Sequence, residues 1–153
     1  YIMQQAAARG LDIVFNPSPI DASIQSLPLE LVSLLVLNEI EGAALAGTED
    51  ESLVLEGLRK QFPRCRILLT LGSRGCIYDD GTQRIQQKAC SVEAVDTTAA
   101  GDTFTGYFVA ADAAGLPPQE RLQLATQAAA IAVSRPGAAP SIPVMAEVKQ
   151  FSL

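Results

Sequence analysis

Apolar residues in this chain fall into short unbroken runs and longer runs of helical period, and the two kinds alternate. The short runs read as buried strands: 11–16 (Leu-Asp-Ile-Val-Phe-Asn, stopped by Pro17), 34–37, 66–71 and 76–78. Residues 92–95 read as one more short strand, ending at Asp96, and 84–90 as an exposed one reached through a hairpin at Asp80-Gly81. The periodic runs predict helices over 2–9 with Gly10 as stop, 39–45 stopped by Gly47, 103–114 stopped by Gly115, 118–134, and 144–151. Pro28 opens one or two helical turns over 27–32. Thr48 with Glu51 predicts a capping box for a helix reaching Lys60. Strands alternating with helices predict an α/β fold: a mostly parallel, doubly wound sheet with helices on both faces. Such sheets bind ligands in the loops that leave the carboxyl ends of their strands.

Composition narrows what those loops can do. The 153 residues suit one ordinary domain, and 48% hydrophobic against 18% charged residues suits a packed core. No apolar run approaches the ~18 residues that span a bilayer. The opening residues Tyr1-Ile2-Met3 lack the basic and apolar regions of a signal peptide, and the absence of Met at position 1 points to a piece of a longer chain. A net charge of −6 with scattered Lys and Arg argues against nucleic acid or an anionic membrane as partner. Bound phosphates would have to be held by backbone N–H groups, a metal ion and a few local cations. The chain has no His, which excludes Ser-His-Asp and Cys-His mechanisms and His-based metal sites. Cys65, Cys76 and Cys90 are odd in number and lack CxxC spacing, so a reducing, cytoplasmic setting is expected.

The segment richest in chemistry is Asp96-Thr97-Thr98-Ala99-Ala100-Gly101-Asp102-Thr103-Phe104-Thr105-Gly106. Small residues at 99–101 let a ligand approach the backbone. The helix start that follows offers unpaired N–H groups and the positive end of the helix dipole, an arrangement that binds phosphate. A carboxylate there would repel phosphate unless it acts as a base beside the transferred group. By residue type alone, Asp102 is better explained as a helix N-cap.

The whole string resembles the second signature of the ribokinase-like (PfkB) carbohydrate kinases. Three further segments agree with it in the family's order. Asn16-Pro17-Ser18-Pro19 resembles its Asn-Pro-x-Pro, Asn38-Glu39-Ile40-Glu41 its Asn-x-x-Glu, and Thr70-Leu71-Gly72-Ser73-Arg74-Gly75 its nucleotide loop. The likeness continues through Gly137-Ala138-Ala139-Pro140-Ser141, and Ala-Ala-Gly-Asp at 99–102 points to the ribokinase branch.

The resemblance implies ATP-dependent transfer of a phosphoryl group to a sugar's primary hydroxyl, with D-ribose as the expected acceptor. Asp102 would be the general base and the only residue here to touch the sugar, and the N–H groups of Ala99, Ala100, Gly101 and Asp102 an anion hole. Thr70, Leu71, Gly72, Ser73, Arg74 and Gly75 would line the nucleotide, with Thr126 on the adenine side. Asn38 and Glu41 would organise Mg²⁺ through its waters; read by spacing alone, they are an Asn cap and a solvated Glu. K⁺ would sit among Asp96, Thr98, Ala132, Arg135, Gly137 and Ser141. The resemblance covers only the C-terminal half of the family's chain. The sugar-recognition motifs and the small β-sheet lid, through which the parent protein is expected to form a homodimer, lie upstream of it. The isolated chain is therefore expected to be inactive or nearly so. Fructose, deoxyribose, ketodeoxygluconate or a nucleoside stay open as alternative acceptors, as does a non-catalytic nucleotide-binding fragment. A dinucleotide-dependent oxidoreductase is disfavoured by the lack of Gly-x-Gly-x-x-Gly after the first strand.

Overall fold

The computed structural model describes residues 1–151. The chain packs as two compact units, one of Tyr1–Leu71 with Cys76–Ile85, the other of Gly72–Gly75 with Gln86–Leu153.

In the first unit the apolar runs become a sheet. Strands β1 (Val14–Phe15), β2 (Leu34–Asn38) and β3 (Arg66–Thr70) are parallel. Strand β4 (Cys76–Asp79) turns back antiparallel to β3, and β5 (Arg84–Gln87) lies beside β4, so the order is β1-β2-β3-β4-β5. Leu34, Leu35, Val36 and Leu37 are all buried, as a strand covered on both faces requires. Helix α1 (Ile2–Ala8) precedes the sheet, and α2 (Glu39–Ala46) and α3 (Glu51–Gln61) connect β2 to β3. Val54, Leu55 and Leu58 of α3 close a core with Leu35, Leu37, Ile67 and Leu69. The β4–β5 turn is stapled to α3. The carboxylate of Asp79 accepts from Arg59 at 2.5 Å, from the Gly81 N–H at 2.9 Å and from Arg84 at 3.0 Å.

The second unit is built on α4 (Ala100–Ala113), α5 (Pro118–Val133) and the short α6 (Met145–Gln150). Ala125, Ala128 and Ala132 are buried along α5, a row of small side chains that lets a neighbour pack closely. Arg121 of α5 bonds both Asp112 and the Leu116 carbonyl and so closes the α4–α5 turn. No helix among the described residues is long and apolar enough to cross a membrane.

Five local expectations change. Residues 92–95 are not a strand: the N–H groups of Val95 and Asp96 both donate to the Val133 carbonyl at the end of α5, which replaces a sheet ladder. The first strand shrinks to Val14–Phe15, because the Ile13 carbonyl is taken by the N–H groups of Ser33 and Leu34 at the mouth of β2. Strand β5 stops at Gln87, short of Cys90. Helix α3 is capped by Asp50, whose carboxylate accepts from the Ser52 N–H at 3.0 Å, while Thr48 bonds the Asp50 N–H instead of forming a box with Glu51. Helix α4 begins at Ala100, three residues earlier than its side-chain pattern suggested. The 3₁₀ turns Ala22–Ser26 and Leu29–Leu31 fill the stretch after β1, and the first of them carries no apolar period that reveals it.

Candidate active site

The carboxyl ends of β2 and β3 present two candidate residues side by side, since Asn38 and Thr70 are partners in the parallel register. Asn38 ends β2 and caps α2. Its Oδ1 accepts from the Glu41 N–H at 2.9 Å, and Glu41 Oε2 accepts from the Asn38 N–H at 3.0 Å. This reciprocal capping box fixes both side chains. Glu41 is not the solvated residue that its spacing suggested, because only 4% of it is exposed. Its Oε1 makes no hydrogen bond and no ion pair among the described residues. A buried carboxylate with one oxygen held by the backbone and the other unpartnered suits the outer shell of a hydrated Mg²⁺, which keeps most of its own waters.

Beyond Thr70, whose hydroxyl bonds the Leu37 carbonyl at 3.2 Å, and the buried Leu71, the chain makes a tight 3₁₀ turn through Gly72, Ser73 and Arg74. Gly75 ends the turn at φ +101°, and a Cβ there would lie 2.0 Å from the Gln87 carbonyl oxygen. Only glycine lets this loop close on residues 87–89.

In the second unit the first turn of α4 carries Asp102 at its third position. It is not the N-cap, which is Ala99. The N–H groups of Gly101 and Asp102 have no backbone acceptor among the described residues, whereas Ala100 donates to the Thr97 carbonyl at 3.2 Å. The carboxylate of Asp102 is exposed and makes no hydrogen bond or ion pair among the described residues. A groove of about 320 Å³ runs from it along α4, lined by Thr103, Gly106, Tyr107, Ile142 and Met145.

The loop that leads into α4 is organised by Asp96. Its Oδ1 accepts from the Thr98 N–H at 2.9 Å and the Thr98 hydroxyl at 2.6 Å, and its Oδ2 accepts from the Gly137 N–H at 2.9 Å. These bonds, that of the Thr98 hydroxyl first, hold the Asp96 carboxyl below the ordinary carboxylate range. Asp96, Thr98 and Gly137 are thus brought together. Nearby in the chain, the Ala132 carbonyl accepts from the Arg135 N–H, and the buried Ser141 donates its hydroxyl to the Ala138 carbonyl at 2.7 Å. An all-oxygen set with one carboxylate fits an alkali cation, which carbonyl oxygens strip of its water. Arg135 directs its guanidinium to Glu147.

Residues 2–145 match the profile of the pfkB family carbohydrate kinases. This chain belongs to that family. It is 38% identical, over 95% of its own length, to a ribokinase of Schizosaccharomyces pombe. It superposes on the structure of Arabidopsis thaliana ribokinase complexed with ribose and ATP with a TM-score of 0.89 at 30% identity, over 99% of the chain. With ribokinase from Cryptococcus neoformans var. grubii serotype A in complex with ADP, the TM-score is 0.87 at 30% identity, over 97% of the chain. The chain spans about half of each relative: 48% of the first, 51% of the second and 54% of the third.

In this pfkB-family chain, one residue expected to face the nucleotide already has a local hydrogen-bond partner. Thr126 is buried in α5 and its hydroxyl donates to the Leu122 carbonyl at 2.7 Å, so its hydrogen is committed within the helix. The carbonyls of Thr97 and Val133 shape the approach to α4, and no side-chain pattern signals them, because any residue supplies a carbonyl. Tyr107, whose hydroxyl donates to the Pro143 carbonyl at 2.6 Å, was also not singled out from the sequence, where it reads as one more aromatic on an apolar face.

Proposed function

We propose that these residues form the nucleotide-binding and catalytic part of an ATP-dependent sugar kinase, with D-ribose as acceptor and ribose 5-phosphate as product. The observation that carries this reading is the first turn of α4, where the N–H groups of Gly101 and Asp102 and an exposed carboxylate share one turn and are all unpaired among the described residues. Similarity to ribokinases, one of them in complex with ribose and ATP, supports the acceptor.

In this reading Asp102 accepts the proton of the sugar's primary hydroxyl as that oxygen attacks the γ-phosphorus of ATP. The new O–P bond forms as the bond from the γ-phosphorus to the β,γ-bridging oxygen breaks, and ADP leaves with that bond's electrons. A positioned base contributes on the order of 10²–10⁴-fold. The N–H groups of Gly101 and Asp102, with that of Ala99 at the same turn, meet the charge on the transferred group, while the Ala100 N–H stays on the Thr97 carbonyl. They are preorganised by the helix and so need no reorientation during the reaction. Thr70 through Gly75 line the nucleotide. Asn38 and Glu41 would hold Mg²⁺ through its waters, and the ion would supply neutralising charge on the phosphate oxygens. K⁺ among Asp96, Thr98, Ala132, Arg135, Gly137 and Ser141 would steady the loop that presents the anion hole. The complete polypeptide would work in the cytoplasm as a homodimer, with small molecules as its ligands.

The test is ADP release by the complete polypeptide with a panel of sugars headed by ribose, alongside Asp102→Asn. Ribose-dependent turnover that falls by at least about 10²-fold in the variant is expected. Turnover unchanged by the substitution would remove Asp102 from the chemistry. Turnover with fructose, deoxyribose, ketodeoxygluconate or a nucleoside in place of ribose would move the acceptor within the family. A second reading is a nucleotide-binding module without activity. ATP binding without turnover on any acceptor would establish it.

A further inference from the structure

Helix α4 is tied to the loop over residues 134–144 at two separate points. At its start, Asp96 receives the Gly137 N–H, and the adjoining Thr97 carbonyl takes the Ala100 N–H. Five residues beyond Asp102, about 7.5 Å along the helix axis, the Tyr107 hydroxyl donates to the Pro143 carbonyl at 2.6 Å, a bond between residues 36 apart in sequence. Between these two ties lie Gly137 and the buried Ser141, both on the ribs of the candidate cation loop. The Ser141 N–H and hydroxyl both reach the Ala138 carbonyl. The bonds form a closed circuit from the first turn of α4 through Asp96, Gly137, Ser141 and Pro143 to Tyr107 and back along the helix.

The ring of Tyr107 packs on Ala128, Ile131 and Val148, and a phenylalanine would fill that space as well. Packing therefore accounts for the ring and leaves the hydroxyl without a role, except that it fixes the far end of the loop to the helix that carries Asp102. We infer that Tyr107 is a positioning residue that couples occupancy of the monovalent-cation loop to the placement of the first turn of α4. This inference rests on the kinase reading and on K⁺ at that loop. Ordering the loop around an ion would pull on α4 at both ties. Without the second tie the loop can shift by itself, so part of the binding free energy no longer reaches Asp102.

The experiment is Tyr107→Phe in the complete polypeptide. The melting temperature is followed against KCl, with choline chloride at matched ionic strength as reference, and kcat and KM are measured in parallel. Wild type is expected to gain stability from K⁺ specifically. In the variant the half-saturating K⁺ concentration rises about three- to tenfold, the effect of one neutral hydrogen bond, and kcat falls while KM for ATP stays. A wild-type K⁺ response that Tyr107→Phe leaves within about twofold (a change smaller than that hydrogen bond) would overturn the role of Tyr107 and leave the cation reading standing. No K⁺ response in wild type would overturn the cation reading and the coupling with it. Hydrogen exchange in wild type guards against a poorly folding variant: K⁺ should slow exchange of the Thr103–Tyr107 amides, and unchanged exchange there would also sink the proposal.

Discussion

Glu41 allows the structural and the chemical work of one side chain to be separated. Its Oε2 accepts the Asn38 N–H at 3.0 Å, so the residue holds the start of α2, and its Oε1, unpartnered among the described residues, is the oxygen proposed to meet metal-bound water. Glu41→Gln keeps an acceptor for Asn38, since glutamine serves equally in a capping box, and removes only the charge. Glu41→Ala removes both. The alanine variant leaves the Asn38 N–H without its acceptor at a site where Glu41 itself is 4% exposed, and unmade hydrogen bonds of that kind cost about 1–3 kcal/mol. Urea unfolding should therefore place Glu41→Gln within about 0.5 kcal/mol of wild type and Glu41→Ala about 2 kcal/mol below it. Turnover against Mg²⁺ in the complete polypeptide should order the variants differently. Both lose the carboxylate, so both should need about tenfold more Mg²⁺, as when one outer-shell partner of a metal is removed. If Glu41→Gln responds to Mg²⁺ as wild type does, Glu41 is a cap and nothing more. If the two variants unfold alike, the box does not hold α2.

Other perturbations probe the frame around the site. Asp79→Asn should lower stability at neutral pH by about 2 kcal/mol, less than for a fully buried pair because the Arg84 side chain is half exposed. Burial raises the Asp79 pKa, but the Gly81 N–H, Arg84 and Arg59 together outweigh it and hold the carboxyl below its ordinary value. The stabilisation is therefore complete above the unfolded pKa of about 3.9 and is lost as the pH falls through the lower folded value. Wild type and variant should converge in acid unfolding, and a gap that persists below that range would show that charge is not its cause. Gly75→Ala should cost about 2–4 kcal/mol in thermal or urea unfolding, because its Cβ would meet the Gln87 carbonyl oxygen and the Ala89 N–H at φ +101°; a neutral effect would mean that the loop does not close on residues 87–89. Thr103→Val should raise stability by about 1 kcal/mol, since the Thr103 hydroxyl is buried without a hydrogen-bond partner among the described residues. A destabilised valine variant would show that the hydroxyl is satisfied in solution.

The elements legible from local pattern were those whose cause is local. Leu34 to Leu37 is an unbroken apolar run, and it is the buried β2. Gly47 ends α2 in the left-handed conformation its position suggested, and Pro118 opens α5, where a missing N–H is harmless. The string from Asp96 to Asp102 stood out because the proposed binding of phosphate by backbone calls for small residues at a helix start, and that demand is written in residue types. Asn38 and Glu41 were legible as a pair, since a spacing of three places them on one turn.

Where chain partners are distant, the same reasoning ran out. Residues 92–95 have a strand's composition, yet they bond to the end of α5, and no local rule chooses between a ladder and a lone carbonyl. By residue type alone Asp102 read as a cap until the helix was seen to start at Ala100, leaving it in the first turn with its side chain unpaired among the described residues. The burial of Glu41, the tie from Asp96 to Gly137 across 41 residues and that from Tyr107 to Pro143 across 36 were likewise settled by packing. Propensity, capping and apolar period act within a few residues, so amino-acid order alone can specify the strands, the helix ends and the kinds of chemistry available. Which oxygen faces which donor depends on the approach of segments far apart in the chain, and only the folded arrangement decides it.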